Sequence, residues 1–243
     1  MPRAWIAGCI ASHRHVEEVA AKVTDACARR SSLLPGWTVG HLLTHLARNA
    51  DAQSGMIAAA RKGGIRPMYL GGAVQRDGDI EAGSGRSAAA LVDDLLSACA
   101  RLETAWAEAD EATWATGVGL RHGSVVTLAD LVLYRWREAE IHLVDLGLVD
   151  LGGPSWEGLD AGYVDAEWEL TLRDLASRIP AGITVVLASG NRPSRAFGSG
   201  SGTGAGAGAG DDRVVVEAPV ADTLRWLTGR GGKDSWPTLL PWT

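Results

Sequence analysis

The stretch "YRWREAEIHLVDLGL" (residues 134–148) places Glu138, Glu140, His142 and Asp145 inside an otherwise apolar run. Its apolar residues recur at helical spacing, so it reads as a core-facing helix that nevertheless carries acids and a histidine on neighbouring turns. A second stretch, "GHLLTHLARNADA" (40–52), repeats the pattern with His41 and His45. Glu138 and His142 are four positions apart, which on a helix sets both side chains on one face, one turn apart. Such a pair can give two ligands to one ion without distorting the backbone. A third ligand then has to come from a facing helix, and His41 and His45 are the candidates. Three N/O ligands without thiolate suit Zn²⁺ or another divalent first-row metal, and a three-ligand shell leaves an open position of the kind catalytic sites keep. The structural alternative is that each histidine is a hydrogen-bonded core or surface residue and Glu138–His142 an ordinary helix-surface pair.

Around these stretches the chain reads as helical. Val16, Val19, Val23 and Cys27 mark a helix over 13–30. Thr38 is a candidate N-cap for a helix running to about Arg61, with Leu42, His45, Leu46, Asn49 and Gln53 on one side. Gly63, Gly64, Pro67, Gly71 and Gly72 mark a long loop. A third helix spans 87–109 with Ser87 at its start, and a fourth spans 128–148 with Thr127 as cap and Gly147 near its end. Four long helices with no strand pattern among them predict a four-helix bundle, a known scaffold for metal sites built from facing helices.

The character changes after "GLVDLGGPSW" (147–156). A helix over about 157–178 leads to the β-branched run "AGITVVLAS" (181–189), which reads as a buried strand with "DRVVVEAP" (212–219) as its partner. Between them lies "GSGSGTGAGAGAG" (198–210), read as a flexible hairpin loop, since no phosphate-binding glycine fingerprint opens a helix there. "VADTLRWLTGR" (220–230) is a last short helix stopped by Gly229. The fold class is therefore mixed, with a helical bundle over 1–150 followed by a small α+β domain over 151–243.

Bulk properties bound the function. The 243 residues are 46% hydrophobic and 21% charged, enough apolar material for a core. A net charge of −6 argues against a nucleic-acid or anionic-membrane surface as the main partner. No apolar run reaches the roughly 18–20 residues of a membrane helix. Three widely spaced cysteines (Cys9, Cys27, Cys99) with no CxxC suit a reducing cytoplasm and no disulfide framework.

"GWTVGHLLTHLARNADA" (36–52) followed by "REAEIHLVDLGL" (137–148) resembles the mycothiol-dependent maleylpyruvate isomerase family, and the match runs in order through the strand pair to the closing "WLTGR" (226–230). The resemblance implies a DinB-like four-helix bundle joined to a small sterol-carrier-like α+β domain. It implies zinc held by His45, Glu138 and His142, with His45 also catalytic. It implies a functional C-terminal arginine as well, for which Arg230 is the candidate and Arg225 the rival, the glycine-rich insert blurring that alignment. Arg48 and Asn49 are candidates for binding cofactor or substrate, or else for bundle contacts. His41 supports the site or packs, and Asp145 either accepts the free N–H of His142 or is a plain helix-end carboxylate. None of the cysteines lies in either motif, so a catalytic thiol is expected from outside, which the resemblance names as mycothiol, the small thiol of actinobacteria. Three functions follow. The first is a zinc-dependent isomerase converting maleylpyruvate to fumarylpyruvate, the second a mycothiol S-transferase joining the thiol to an electrophile, and the third a non-catalytic bundle that binds or regulates. In the first two the partners are a small-molecule thiol and an electrophilic substrate.

Overall fold

In the computed structural model, residues 1–121, 123–198 and 212–241 are described. The chain divides into two compact units, Met1–Ser155 and Trp156–Thr243. Nine α-helices occur among the described residues: α1 (Arg3–Ala20), α2 (Asp25–Ala28), α3 (Val39–Ala60), α4 (Gly72–Ser84), α5 (Ala88–Glu108), α6 (Glu111–Thr116), α7 (Leu128–Asp145), α8 (Ala161–Arg178) and α9 (Val220–Leu227). The strands are β1 (Val118–Arg121), β2 (Ser124–Thr127), β3 (Ile183–Ser189), β4 (Arg195–Gly198) and β5 (Asp212–Ala218).

The first unit is a bundle of α1, α3, α5 and α7. Contacts between helices give their directions. Arg48–Asp94, Arg101–Asp51 and Arg61–Glu108 rise together along α3 and α5, so these two run parallel. His45 meets Glu138 while Asn49 meets Arg135, so α3 and α7 are antiparallel. Parallel neighbours need a long crossover, and the segment between α3 and α5 supplies it, with α4 inside. Each long helix starts where a side chain can satisfy the first free N–H groups. Thr38 and Thr127 do so in capping boxes, and Ser87 accepts from Ala90 N.

Three sequence readings need correction here. The first helix runs from Arg3 to Ala20 and not over 13–30, because Thr24 caps a separate short helix by accepting from Cys27 N. The stretch after the predicted 63–72 loop forms α4. This helix was invisible to periodicity because it packs on α3 through small residues and buries only Ile80. A Cβ on Gly40 would lie 2.3 Å from the Ser84 carbonyl oxygen, and one on Gly83 would lie 2.6 Å from the Thr44 methyl. Strands also occur between the bundle helices, as the short hairpin β1–β2, with Pro67 bridged in parallel to Leu120.

The second unit holds a three-stranded sheet in the order β4-β3-β5. Its core packs Trp168, Leu175, Val185, Leu187, Val216 and Trp226. β3 and β5 do pair, but in parallel, so the predicted hairpin between them is wrong, since a hairpin joins antiparallel strands. The antiparallel partner of β3 is β4, which is half exposed and too short for its alternation to be read. The flexible loop expected at 198–210 falls almost wholly on residues 199–211, outside the described residues.

Candidate metal centre

The capping box fixes where α3 begins, and with it the side of the helix on which each histidine lies. His41 is the last residue of the box. Thr38 N donates to its Nδ1 at 3.1 Å, and its Nε2 contacts Glu81 at 3.2 Å. Both ring nitrogens are thus engaged in holding the start of α3 and α4. His45, one turn further on, is 4% exposed and turns towards α7. There its Nε2 lies 2.8 Å from Glu138 Oε2, and His142 Nε2 lies 3.2 Å from the same oxygen. One potential ligand atom from each of His45, Glu138 and His142 falls within a mutual 4.8 Å. The His45 and His142 rings meet edge to face, 4.8 Å between centroids.

The protons of this cluster can be assigned from its hydrogen bonds. His142 Nδ1 lies 2.9 Å from Asp145 Oδ2, and a carboxylate only accepts, so the proton sits on Nδ1. In neutral His142 the Nε2 lone pair would then face the Glu138 carboxylate, a repulsive contact. The contact becomes favourable only when a second proton or a cation lies between them. The charge balance agrees. Burial pulls His142 down, but Asp145 and Glu138 outweigh it and raise its pKa. Burial would push Glu138 up, yet its bonds to His142 and His45 hold it well below the ordinary carboxylate value. His45 is lowered by burial in spite of Glu138, and its Nδ1 is buried with no partner. One carboxylate oxygen therefore receives two imidazole nitrogens, with Asp145 (1% exposed) fixing one tautomer from behind. This donor set fits a divalent cation, which would take the place of the shared protons, and His45, Glu138 and His142 would hold it.

The rim carries residues that the sequence did not single out. Trp37 stacks on His41 and lies edge-on to His45 at 5.5 Å, with the Arg76 guanidinium over its ring. Tyr69 and Arg121 come from the two segments joined at the Pro67–Leu120 bridge. Only Trp37 had a visible signal, being inside the motif stretch. A second polar cluster lies deeper. Arg135, 1% exposed, donates from Nε to His13 Nε2 at 2.9 Å, from Nη1 to Leu46 O and Asn49 Oδ1, and from Nη2 to Cys99 Sγ. Since Nε is always a donor, His13 Nε2 accepts, and its Nδ1–H donates to Glu103 at 2.8 Å. Burial drives His13 down to about 4, so this ring is neutral.

The remaining candidates are placed elsewhere. Asn49, 1% exposed, accepts from Arg135 inside the bundle. Arg48 is paired with Asp94 at 2.6 Å and Asp51 at 2.9 Å. In the second unit Arg230 donates to Thr228 O at 2.8 Å, and Arg225 Nε donates to Arg230 O at 2.9 Å.

A bundle that gathers two histidines and a glutamate from facing helices, followed by a small α+β unit, defines a class of helical proteins with a candidate metal centre. The family model for the mycothiol maleylpyruvate isomerase N-terminal domain matches residues 9–147, and the chain belongs to this family. Two solved structures are similar over most of the chain. One is a crystal structure of the mycothiol-dependent maleylpyruvate isomerase (TM-score 0.80), the other of a histidine-to-alanine mutant of it (TM-score 0.79). Each is 26% identical to this chain, and each match covers 95% of this chain and 90% of the other. No curated protein sequence matches the chain. Among the described residues no helix is long and apolar enough to cross a membrane.

Proposed function

We propose that the protein is a zinc-dependent, mycothiol-using isomerase that converts maleylpyruvate to fumarylpyruvate. The observation that carries this reading is the convergence of His45 and His142 on one oxygen of Glu138, in a chain of the maleylpyruvate isomerase family. A zinc ion there would supply a position that binds a thiol sulfur and lowers its pKa, so that thiolate exists at neutral pH. The three cysteines are all buried, consistent with a thiol that arrives from solution in the cytoplasm.

The chain's own residues orient this chemistry. Asp145 holds the His142 ring, and the bundle positions His45 against Glu138, so the three ligand groups are arranged before anything binds. The thiolate sulfur forms a bond to one alkene carbon, and the electron pair of the double bond moves into the enolate of the neighbouring ketone. The former double bond is then single and rotates. Return of the electron pair re-forms the double bond in the trans geometry, breaks the C–S bond and releases the thiol unchanged. Positive charge near the enolate stabilises it, and Arg230 is proposed as a guanidinium partner for a substrate carboxylate.

The test is a conversion assay of maleylpyruvate on metal-loaded protein, with and without mycothiol, beside metal analysis of the purified chain. About one zinc per chain and thiol-dependent formation of fumarylpyruvate are expected. Conjugate formation with an electrophile but no isomerisation would replace the isomerase with an S-transferase. Absence of metal would sink both.

A further inference from the structure

The hairpin β1–β2 has one polar feature that the bundle does not need. Side chains alternate along a strand, so Gly119 and Arg121 of β1 share a face. That face looks into the bundle, because a Cβ on Gly119 would meet Met56 of α3 and come within 3.3 Å of Leu131 of α7. Arg121 therefore extends inward along α7, where its guanidinium lies 4.3 Å from the centroid of the Tyr134 ring. Tyr134 is one turn before Glu138 on α7. Stacking occupies the flat face of a guanidinium and leaves its in-plane N–H groups available. The Arg121 side chain makes no hydrogen bond or ion pair among the described residues. Burial lowers its pKa, with the field of Glu138 partly offsetting that cost. The group is still a cation, beside a carboxylate already committed to two imidazoles.

A second group stands next to it. Met68 N donates to Leu120 O at 2.9 Å and Leu120 N donates to Arg66 O at 3.2 Å, so residues 66–68 form an extra rung on β1. The rung brings the segment that carries Tyr69 against β1, close enough for Tyr69 to contribute to the field at Arg121. The Tyr69 hydroxyl is buried with no partner at full hydrogen-bond geometry. Burial together with nearby Glu138 pushes its pKa up to about 12, and the Arg76 guanidinium close by offsets only part of that rise. It is a neutral donor at any physiological pH. A buried hydroxyl without a full hydrogen bond and a half-buried guanidinium whose N–H groups have no acceptor are each costly, and one anionic ligand would satisfy both.

We propose that Arg121 and Tyr69 form a carboxylate-binding subsite beside the His45–Glu138–His142 cluster. Arg121 takes the carboxylate of a small unsaturated keto acid through its in-plane N–H groups, and the Tyr69 hydroxyl donates to the same carboxylate. The stack on Tyr134 sets the distance of that carboxylate from the metal ligands. This subsite rests on the isomerase reading for the identity of the acid, though not for its preference for a carboxylate.

The test uses metal-loaded full-length protein and maleate, a small dicarboxylate, in calorimetric titration without thiol. Arg121→Ala is expected to weaken maleate binding by at least about 10-fold, Arg121→Lys by less, and Tyr69→Phe by a few-fold. Metal content and melting temperature should stay at the wild-type values in the Lys and Phe variants, which separates loss of a contact from loss of fold. In turnover, KM for maleylpyruvate should rise in the same order while KM for the thiol does not move. Equal affinity in wild type and Arg121→Ala, or no maleate binding to the wild type, overturns the subsite. Arg121-dependent maleate binding without turnover of maleylpyruvate would keep the subsite and remove the isomerase. Normal turnover with an indifferent Arg121 would do the reverse.

Discussion

Two polar clusters, one buried and one half-buried, lie about one turn apart on α7, and they differ in how completely they are satisfied. Around Arg135 the accounts close. Its Nε and both terminal nitrogens have partners, His13 is fixed in one neutral tautomer, and Glu103 ends the chain with a second bond from Arg14. Around Glu138 they do not. Two imidazole nitrogens crowd one carboxylate oxygen, and His45 Nδ1 is left alone. Closed networks of this kind hold helices together, whereas an excess of converging acceptors marks a place for something the chain lacks. Histidine and glutamate occur in both, so residue type alone does not separate structure from site.

The largest expected effect comes from removing a ligand of the open cluster. His45→Ala should lose the bound metal and lower thiol-dependent turnover by at least ~10²-fold, as checked by metal analysis and the conversion assay. Its fold should remain. Breaking the closed cluster should do the opposite. Arg135→Ala strips partners from His13, Leu46 O and Asn49 at once and should cost about 3–5 kcal/mol in denaturant unfolding. The folded fraction should still carry its metal. If Arg135→Ala instead abolished metal binding without loss of stability, the division between the two clusters would fail.

A pH titration sharpens the same contrast. His13 has its pKa lowered from 6.5 to about 4 in the folded chain. The unfolded chain therefore takes up this proton first, so the contribution of His13 is complete above pH 6.5 and is lost as pH falls towards 4. The expected loss over that window is about 3 kcal/mol, from the size of the shift, and His13→Gln should flatten the slope of unfolding free energy against pH. The smallest effect lies behind the open cluster. Asp145→Asn leaves the ligands in place but weakens the grip on His142, and metal affinity should fall about 10- to 100-fold, measurable by competition with a chelator.

Much of the bundle was legible because long helices repeat one pattern. Caps at Thr38, Ser87 and Thr127 and the apolar spacing after each marked three of the four long helices nearly to the residue. The pairing of Glu138 with His142 followed from helical geometry. The choice of His45 over His41 came from family resemblance, and its physical reason is visible only in the fold, where His41 is spent on the capping box. What escaped reading shares one cause. The α4 helix packs through glycines, β4 is short and half exposed, and the segments that carry Tyr69 and Arg121 are joined by a single backbone rung. None of these leaves a periodic trace in the sequence.

Taken by itself, the sequence determined which residues share a helical face, where the long helices begin, and that two imidazoles and a carboxylate were available on two of them. Those properties are local, set by a repeat of 3.6 residues and by hydrogen bonds within a few positions. Only the tertiary structure decided that α3 and α7 run antiparallel with His45 facing Glu138, that Arg135 is closed off while Glu138 is not, and that β3 pairs with β5 in parallel. These outcomes depend on which surfaces bury each other across long stretches of chain, and no spacing within one element encodes them.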